Sequence, residues 1–299
     1  MVTGANGFIG SHVVARLVKT GVDVFPVVGP GSNTIPIPSV ALDIRDFESV
    51  RNYFEEVKPD IVFHSGALVN LARDFEVGVN CLDINSKGAL HVLEASVLAG
   101  VGKFVFFSTQ EVYGGAKIPY KEEQSLKPPS AYAISKVVGE NFCALYKNLY
   151  NLDYTIFRLS TVYGPGQANA RLIPTIIRNA ISQKDVNLNS GKKKRDYVFS
   201  EDVVDCVLSA IRSEEASNEI INVGGGMSYS LKNLAEEIIR LAGSSSSIQL
   251  NKFPDRVGEA DNMFSDISKA KKLLDWKPNY SLEAGLKKTI EFYRKYKNE

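Results

Sequence analysis

Tyr132 and Lys136 lie four positions apart in the segment AYAISK, and this i, i+4 spacing places them on one face of a helix. A phenol has a pKa of about 10, and a nearby ammonium group favours its ionised form. Tyr132 could then remove a proton from a substrate hydroxyl at physiological pH. By itself the pair is a weak signal, because most pairs at this spacing are exposed neighbours on a helix.

Thr109 directly follows an apolar segment, KFVFFS, that is typical of a buried strand. In open α/β sheets the ligand site lies at the carboxyl ends of the strands. We therefore expect the Thr109 hydroxyl to lie beside Tyr132 and to form a hydrogen bond with the reacting hydroxyl.

Three glycines near the start of the chain, Gly4, Gly7 and Gly10, have the spacing G-x-x-G-x-x-G between a short strand and a helix. Such a turn lets the pyrophosphate of a dinucleotide approach free backbone amides at a helix N-terminus. An ordinary glycine-rich turn is the alternative, which the flanking strand and helix disfavour. The predicted cofactor is NAD or NADP, and Lys136 could hold its nicotinamide ribose. The residues assigned to it here are Gly4, Gly7, Phe8, Ile9 and Gly10.

The choice between NAD and NADP is open. The second predicted strand ends at Val28 without the acidic residue that accepts the ribose hydroxyls of NAD, and without an arginine for a 2′-phosphate. Ser32 and Asn33 could donate hydrogen bonds to either cofactor, which leaves a slight preference for NADP. After the third strand, Asp43 and Ile44 could contact the adenine, although Asp43 could equally cap a helix.

The elements that position these residues alternate along the chain. The pattern predicts strands at 2–3, 23–28, 37–42, 60–64, 103–108 and 154–159, and helices at 11–20, 47–57, 84–99 and 132–150. This order is typical of an α/β fold with a doubly wound parallel sheet, the Rossmann architecture. We assign residues 1–166 to a dinucleotide-binding domain and 167–299 to a smaller C-terminal substrate-binding lobe, with residues near 200–223 packing back on the first domain.

Composition excludes several classes of protein. The 299 residues include 35 Lys and Arg against 34 Asp and Glu, and a net charge of +1 does not suit a nucleic-acid-binding surface. The three cysteines have no metal-ligand spacing, and no carboxylate cluster accompanies the histidines, so no metal is expected. Neither a signal peptide nor a membrane span is predicted, and we expect a cytoplasmic protein. Since the first strand begins two residues before the turn, we also expect the natural chain to start several residues earlier.

The motifs together resemble the extended short-chain dehydrogenase/reductase family, in its nucleotide-sugar epimerase/dehydratase branch. The similarity covers nearly the whole chain. It includes TGANGFIGSH at the start, VFHSGA at 62–67, STQEVYG at 108–114, YAISK at 132–136, RLSTVYGPGQ at 158–167, KRDYVFSEDVVD at 194–205, NVGGG at 222–226 and DISKAKKLLDWKP at 266–278.

The resemblance implies roles for particular residues. Thr109, Tyr132 and Lys136 would form the catalytic triad, with hydride passing between a sugar carbon and the nicotinamide. The cofactor pocket would be lined by Gly66, Ala67 and Asn85, and the nucleotide diphosphate would be held by Arg195 and Arg256. At the position where the family often has an asparagine that contacts the sugar or phosphate, this chain departs from the pattern with Thr161, which is shorter and lacks the amide. Lys192 to Lys194 are interpreted as a solvated basic loop. The family also implies a homodimer formed through the two long helices predicted at 84–99 and 132–150.

Glu111 bears on the type of reaction. In family members that dehydrate or decarboxylate the sugar, a Thr-x-Glu arrangement supplies a carboxylate that removes the C5 proton from a 4-keto intermediate. Gln110 lies between Thr109 and Glu111, at a position where dTDP-glucose dehydratases carry an acid, so the pattern is incomplete for that subtype. A surface or structural role for Glu111 is the alternative.

Three functions are therefore compared. The first is a nucleotide-sugar enzyme that works through a 4-keto sugar, as a 4-epimerase, 4,6-dehydratase or decarboxylase. The second is an NADPH-dependent reductase of a 4-keto sugar or another carbonyl compound. The third is a dinucleotide-binding module without catalysis, against which the intact Thr109, Tyr132 and Lys136 argue.

Overall fold

The computed structural model describes residues 1–31 and 35–296 of the chain. Its strands are β1 (Val2–Thr3), β2 (Pro26–Val28), β3 (Val40–Ala41), β4 (Ile61–His64), β5 (Lys103–Thr109), β6 (Asp153–Leu159), β7 (Thr161–Tyr163), β8 (Val186–Asn187), β9 (Lys194–Phe199), β10 (Glu219–Val223), β11 (Ser228–Ser230), β12 (Ile248–Gln249) and β13 (Asn262–Met263). Its α-helices are α1 (Phe8–Lys19), α2 (Phe47–Val57), α3 (Phe75–Cys81), α4 (Gly88–Leu98), α5 (Ala131–Tyr150), α6 (Leu172–Ile181), α7 (Ser200–Arg212), α8 (Leu231–Ala242), α9 (Ser268–Leu274) and α10 (Leu282–Lys295).

The main sheet has seven strands in the order β10–β6–β5–β4–β1–β2–β3. Parallel pairing joins β1 to β2 and β4, β2 to β3, and β4 to β5. The chain leaves β1 toward one edge of the sheet and returns on its other side as β4, which makes the carboxyl ends of β1 and β4 a topological switch point. The predicted α/β fold with a doubly wound parallel sheet is confirmed.

Several predicted boundaries differ from the structure. The helix expected at 84–99 begins earlier, because α3 starts at Phe75 with Asp74 as its N-cap, and a π-helical segment, Leu82–Lys87, joins it to α4. The strand expected at 37–42 is reduced to β3. The lysines interpreted as a loop lead directly into β9, which begins at Lys194.

The chain divides into two compact units, each built from several segments. Unit 1 comprises Met1–Gly114, Ser125–Arg158 and Val207–Ile221, and unit 2 comprises Gly115–Gln124, Leu159–Cys206 and Asn222–Glu299. The predicted division after residue 166 differs from this one in the segments 115–124 and 159–166. Residues 207–221, which the prediction placed in the C-terminal lobe and expected to pack back on the first domain, belong to unit 1. The assignment of the cofactor to one part and the substrate to the other stays a prediction.

In unit 1, the long helix α5 packs closely on β5. A Cβ atom added at Gly139 would lie 2.3 Å from Cζ of the Phe106 ring, so this helix position accepts only glycine without a shift of the neighbouring elements. Ser130 caps the helix by accepting a hydrogen bond from the Ala133 amide at 3.1 Å. The residues expected to be catalytic are thus carried by two elements in direct contact.

Unit 2 has its own apolar core and smaller sheets. In one sheet β9 lies between β11 and β13 and also pairs with β7, and β8 pairs with β12. The core residues come mainly from α6, α8, α10 and β9. Among the described helices, none has the length and apolar character needed to cross a membrane. The described side chains also contain no group of three or more His, Cys, Asp or Glu arranged to hold a metal ion.

Candidate active site

The glycine-rich turn joins β1 to α1 and is held against the end of β4. Gly4 has a φ of +67°, and a Cβ atom there would lie 2.6 Å from the Gly66 amide nitrogen. A Cβ at Gly10 would lie 2.2 Å from the Gly4 carbonyl oxygen. Helix α1 begins at Phe8, and Ile9 follows in its first turn. Its N-cap residue is Gly7, which has no side chain, so no side chain caps the first backbone amides of the helix. This cradle fits the pyrophosphate of a dinucleotide.

Two side-chain hydrogen bonds join the ends of β1 and β4 beneath this turn. Thr3 Oγ1 lies 2.8 Å from His64 Nδ1, and Ser65 Oγ donates to the Thr3 carbonyl oxygen at 2.7 Å. His64 is fully buried, its ring stacks on Phe106, and its Nε2 has no hydrogen-bond partner. Burial, and to a smaller extent the charge of Lys136, lowers the pKa of His64 to about 3. His64 is therefore a neutral residue that holds together the two strand ends at the switch point.

Asn85, predicted to line the cofactor pocket, lies in the π-helical segment and holds the loop after β4. Its Oδ1 accepts from the Leu68 amide at 2.7 Å, and its Nδ2 donates to the Leu68 carbonyl and to Ser135 Oγ at 3.0 and 2.9 Å. Gly66 and Ala67 lie in the same loop, half-buried. The bonds of Asn85 place this loop, and direct contact of these residues with a cofactor stays a prediction.

Asp43 does not cap α2, because Asp46 accepts the hydrogen bond from the Ser49 amide. The Asp43 carboxylate is bound by the Arg45 guanidinium at 2.7 Å, and this hydrogen bond holds the pKa of Asp43 below its usual range. The neighbouring Ile44 would clash with any Cβ at Gly88 in α4. A contact of Asp43 and Ile44 with adenine stays a prediction, and Ser32 and Asn33 lie outside the described residues.

Thr109 ends β5, while Tyr132 and Lys136 lie on the buried face of α5 that packs against β5. Lys136 is 3% exposed, and its Nζ lies 5.0 Å from the centroid of the Phe106 ring. Burial lowers the pKa of Lys136 to about 8, and the Glu140 carboxylate opposes this shift. Tyr132 is also buried, and its backbone carbonyl accepts from Ser135 Oγ at 2.7 Å.

Glu111 lies one residue beyond Gln110 in a 3₁₀ turn that follows Thr109, and it contacts the start of α5. The Thr109 hydroxyl oxygen accepts from the Glu111 amide at 3.2 Å, and Ser130 Oγ donates to Glu111 Oε2 at 3.3 Å. Gln110 is buried. The half-buried Glu111 carboxylate is therefore oriented toward the helix that carries Tyr132, rather than lying free on the surface.

A buried ion pair that the sequence reasoning missed lies behind these residues. Glu140, one helical turn after Lys136, is bound by Arg158 of β6 at 2.6 Å. Ser108, next to Thr109, donates to Glu140 Oε1 at 2.5 Å, and Arg158 donates to the Tyr113 hydroxyl at 2.9 Å. The available signals were the i, i+4 spacing from Lys136 and a lone arginine in an apolar strand. The partners come from separate elements, so only the structure connects them.

Unit 2 carries the two arginines predicted to hold a diphosphate, and both lie near one carboxylate. Arg195, in the middle strand β9, is 2.7 Å from Glu259, and Arg256 is 3.8 Å from the same carboxylate oxygen. Arg256 is exposed, whereas Arg195 is mostly buried. Lys193 donates to Asp261 at 3.0 Å and to the Glu259 carbonyl at 2.8 Å, so it is not a solvated loop residue.

Asp196, next to Arg195, is a buried carboxylate that fixes the surrounding loops of unit 2. It accepts from Ser160 Oγ at 2.9 Å and from the Gly225 amide at 2.7 Å. Burial raises its pKa to about 6, against the effect of these hydrogen bonds. Thr161 follows Ser160 and pairs with Tyr197 in the β7–β9 register. Asp196 thereby fixes the backbone beside both Thr161 and Arg195.

Comparison with known proteins gives strong matches over the whole chain. Residues 1–224 match the model of a family described as the NAD dependent epimerase/dehydratase family. A UDP-N-acetyl-alpha-D-glucosaminuronate decarboxylase of Bacillus cytotoxicus is 32% identical over 100% of this chain and 98% of its own. A dTDP-D-glucose 4,6-dehydratase of Mus musculus is 33% identical over 99% of this chain and 88% of its own.

Solved structures match equally well. A UDP-glucose 4-epimerase of Thermotoga maritima, crystallised with UDP-glucose, has a TM-score of 0.94 and 32% identity over 99% of each chain. A UDP-glucose 4-epimerase of Thermus thermophilus in complex with NAD has a TM-score of 0.91 and 28% identity over 98% of each chain.

Proposed function

Because the chain belongs to the NAD dependent epimerase/dehydratase family, we propose that it is an NAD-dependent enzyme that acts on a nucleotide-linked sugar through a transient 4-keto intermediate. The observation that carries the proposal is the packing of α5 on β5, with Tyr132 and Lys136 on the buried helix face and Thr109 at the strand end. A pure binding module would not need this acid–base pair.

NAD is the proposed cofactor. The description of the family and the NAD complex of the Thermus thermophilus relative support it over the NADP preference that residues 28–33 suggested. Its pyrophosphate would lie on the amides of Gly7 to Gly10, its adenine near Asp43 and Ile44, and its nicotinamide ribose near Lys136. When bound, NAD supplies the group that accepts a hydride from the sugar carbon and returns it.

The chain's own residues perform the proton chemistry. Tyr132, in its phenolate form, takes the proton of the C4 hydroxyl, and the Lys136 ammonium stabilises that phenolate. Thr109 holds the same hydroxyl by a hydrogen bond, which fixes the distance over which the proton moves. Where the hydride returns to C4, as in epimerisation, Tyr132 gives the proton back to the C4 oxygen; where it returns to another carbon, as in a 4,6-dehydration, the C4 oxygen stays a ketone.

Glu111 favours a dehydratase route over simple epimerisation. A ketone at C4 makes the C5 proton acidic, so that an oriented carboxylate is a sufficient base. The hydrogen bond from Ser130 and the half-buried position of Glu111 provide that orientation. The relatives of this chain include an enzyme named as a 4,6-dehydratase.

The nucleotide diphosphate is assigned to Arg195 and Arg256, and the sugar to the neighbourhood of Thr161. Guanidinium groups present paired donors to phosphate oxygens, and Glu259 already holds both arginines near one point. A cytoplasmic location is also proposed, since the three cysteines are free thiols.

A homodimer is proposed through a surface of unit 1 that we call the α3–α5 face. Helices α3 and α5 pack side by side, and together with the start of the π-helical segment they expose a group of apolar side chains, namely Phe75, Val79, Leu82, Ile134, Leu145 and Leu149. Exposed apolar side chains grouped on neighbouring helices are typical of protein–protein contacts.

The proposed function is tested with UDP-, dTDP-, GDP- and CDP-linked hexoses and uronic acids in the presence of NAD. We expect NMR to show a changed sugar and absorbance to show no net formation of NADH. In a parallel reaction with NADPH in place of NAD, stoichiometric consumption of the reduced cofactor would instead identify a reductase.

The Tyr132→Phe variant should lose turnover by about 100-fold or more, because the proton acceptor is removed. The matched control is Tyr150→Phe, at an exposed tyrosine of the same helix, which should retain activity. Undiminished turnover by Tyr132→Phe would refute the mechanism.

A further inference from the structure

The ammonium group of Lys136 has an unusual environment for a charge. It is almost completely buried and lies over the Phe106 ring. Removing a charged group from water is costly unless an opposite charge compensates for it. The proposed mechanism nevertheless requires Lys136 to be charged when Tyr132 gives up its proton.

Most groups near Lys136 do not supply an opposite charge. From β4, His64 is neutral, as its pKa is lowered to about 3. From α3 and α5, the thiols of Cys81 and Cys143 have pKa values raised by burial, so both are uncharged at neutral pH. Tyr132, on the same face of α5, is the group whose phenolate form Lys136 is expected to stabilise.

Glu140 supplies the negative charge. It lies at i, i+4 from Lys136 on α5, where side chains are neighbours, and its carboxylate raises the pKa of Lys136 against the effect of burial. Arg158 binds both Glu140 oxygens, at distances of 2.6 to 3.3 Å. The carboxylate is therefore shared between two cations, and only part of its charge compensates Lys136.

We propose that Glu140 and Arg158 are positioning residues that act through Lys136, with the Glu140 carboxylate holding a proton on Lys136 and Arg158 limiting the strength of that hold. The pair thereby sets the pH range in which Tyr132 and Lys136 exchange a proton with the substrate. This inference rests on the proposed function for its consequence in catalysis, although the charge coupling itself requires no substrate.

The test is a pH titration of the cofactor-free protein labelled with ¹³C at the lysine ε carbon and followed by NMR. The Lys136 signal is identified by its loss in Lys136→Met. In Glu140→Gln we expect the titration midpoint of Lys136 to fall by about one pH unit. The negative charge of Glu140 is lost, and the positive charge of Arg158 then acts on Lys136 without a carboxylate between them.

Arg158→Gln should shift the midpoint in the opposite direction. Ser108 still donates to Glu140, and the charge of the carboxylate is no longer shared with Arg158, so it holds the Lys136 proton more tightly. Both substitutions break one buried ion pair and both should destabilise the fold. Opposite shifts of the midpoint therefore cannot result from a loosened structure.

Ser108→Ala is the control, because it removes a hydrogen bond to Glu140 and leaves both charges in place. Its Lys136 midpoint should stay within about 0.3 pH unit of the unmodified protein. If one charge variant does not fold, as judged by near-UV circular dichroism, the other is compared with this control. Unchanged midpoints, or shifts of the same sign in both charge variants, would overturn the proposal.

With a substrate identified, the alkaline limb of the kcat profile, on which the required proton of Lys136 is lost, should follow the same directions, to lower pH in Glu140→Gln and to higher pH in Arg158→Gln, with KM little changed. A Lys136 midpoint that shifts as expected in a protein without turnover of nucleotide sugars would leave this inference standing and reject the proposed function.

Discussion

His64 provides a prediction at the scale of single residues. Its folded-state pKa of about 3 lies well below the ordinary value of about 6.5, so the unfolded chain binds a proton that the folded chain excludes. Stability should therefore fall as the pH decreases from about 6.5 toward 3, by a few kcal/mol in total. Urea unfolding at pH 7, 6, 5 and 4 measures this loss.

His64→Gln retains a polar side chain without the titrating ring, and it should flatten the decrease in stability between pH 6 and 4. His12→Gln, at a partly exposed histidine of α1, is the matched control and should retain the slope of the unmodified protein. Equal slopes for the unmodified protein and His64→Gln would show that another group causes the acid sensitivity.

Single residues also show how far sequence reasoning reaches. The motif around Tyr132 and Lys136 predicted their shared helix face, because i, i+4 spacing is a local property. The partner of Arg195, Glu259, is 64 residues away in sequence, and nothing local indicates the pair. Contacts of this kind depend on how strands and loops return to one another, so they had to come from the structure.

At the scale of elements, the packing of α5 on β5 makes a glycine obligatory. A Cβ at Gly139 would overlap the Phe106 ring at 2.3 Å, so Gly139→Ala should separate the helix from the strand and destabilise the protein by about 1–3 kcal/mol. It should also reduce turnover, since Thr109 and Tyr132 lie on the two elements. Thermal unfolding and kcat measure the two effects.

Gly78→Ala in α3 is the matched control for that substitution. The added Cβ would lie 3.8 Å from the Ala131 side chain, an ordinary contact, and alanine is the better helix former. The control should therefore leave stability unchanged or raise it by up to about 1 kcal/mol. Equal destabilisation by the two substitutions would mean that glycine flexibility, rather than the helix–strand contact, is responsible.

The elements of unit 1 were largely predictable, because apolar strands and periodic helices repeat along that part of the chain. The error at α3 has a local cause: Gly78 and Asn80 lower helix propensity, and the segment is held by contacts with the π-helical segment and α5. In unit 2, β7, β8 and β11 to β13 have two or three residues each, too few to show a period in the sequence. Their pairing with longer strands such as β9 defines them.

At the scale of the whole molecule, the near-zero net charge predicted that the protein does not bind a polyanion such as a nucleic acid across its surface. The net charge gave no information on self-association. The apolar side chains of the α3–α5 face became visible only when the helices were placed. Leu145 and Leu149 are one turn apart on α5, which suits a helix–helix contact between two copies of the chain.

Leu149→Glu should convert the proposed dimer into a monomer. The residue is 61% exposed in one chain, and burying a glutamate opposite its symmetry mate places two unpaired carboxylates in an apolar contact. Light scattering after size-exclusion chromatography should give about twice the mass of one chain for the unmodified protein and the mass of one chain for the variant. Val18→Glu, at an exposed valine of α1, is the matched control and should remain dimeric. If the unmodified protein has the mass of one chain at micromolar concentration, the α3–α5 face does not form a dimer.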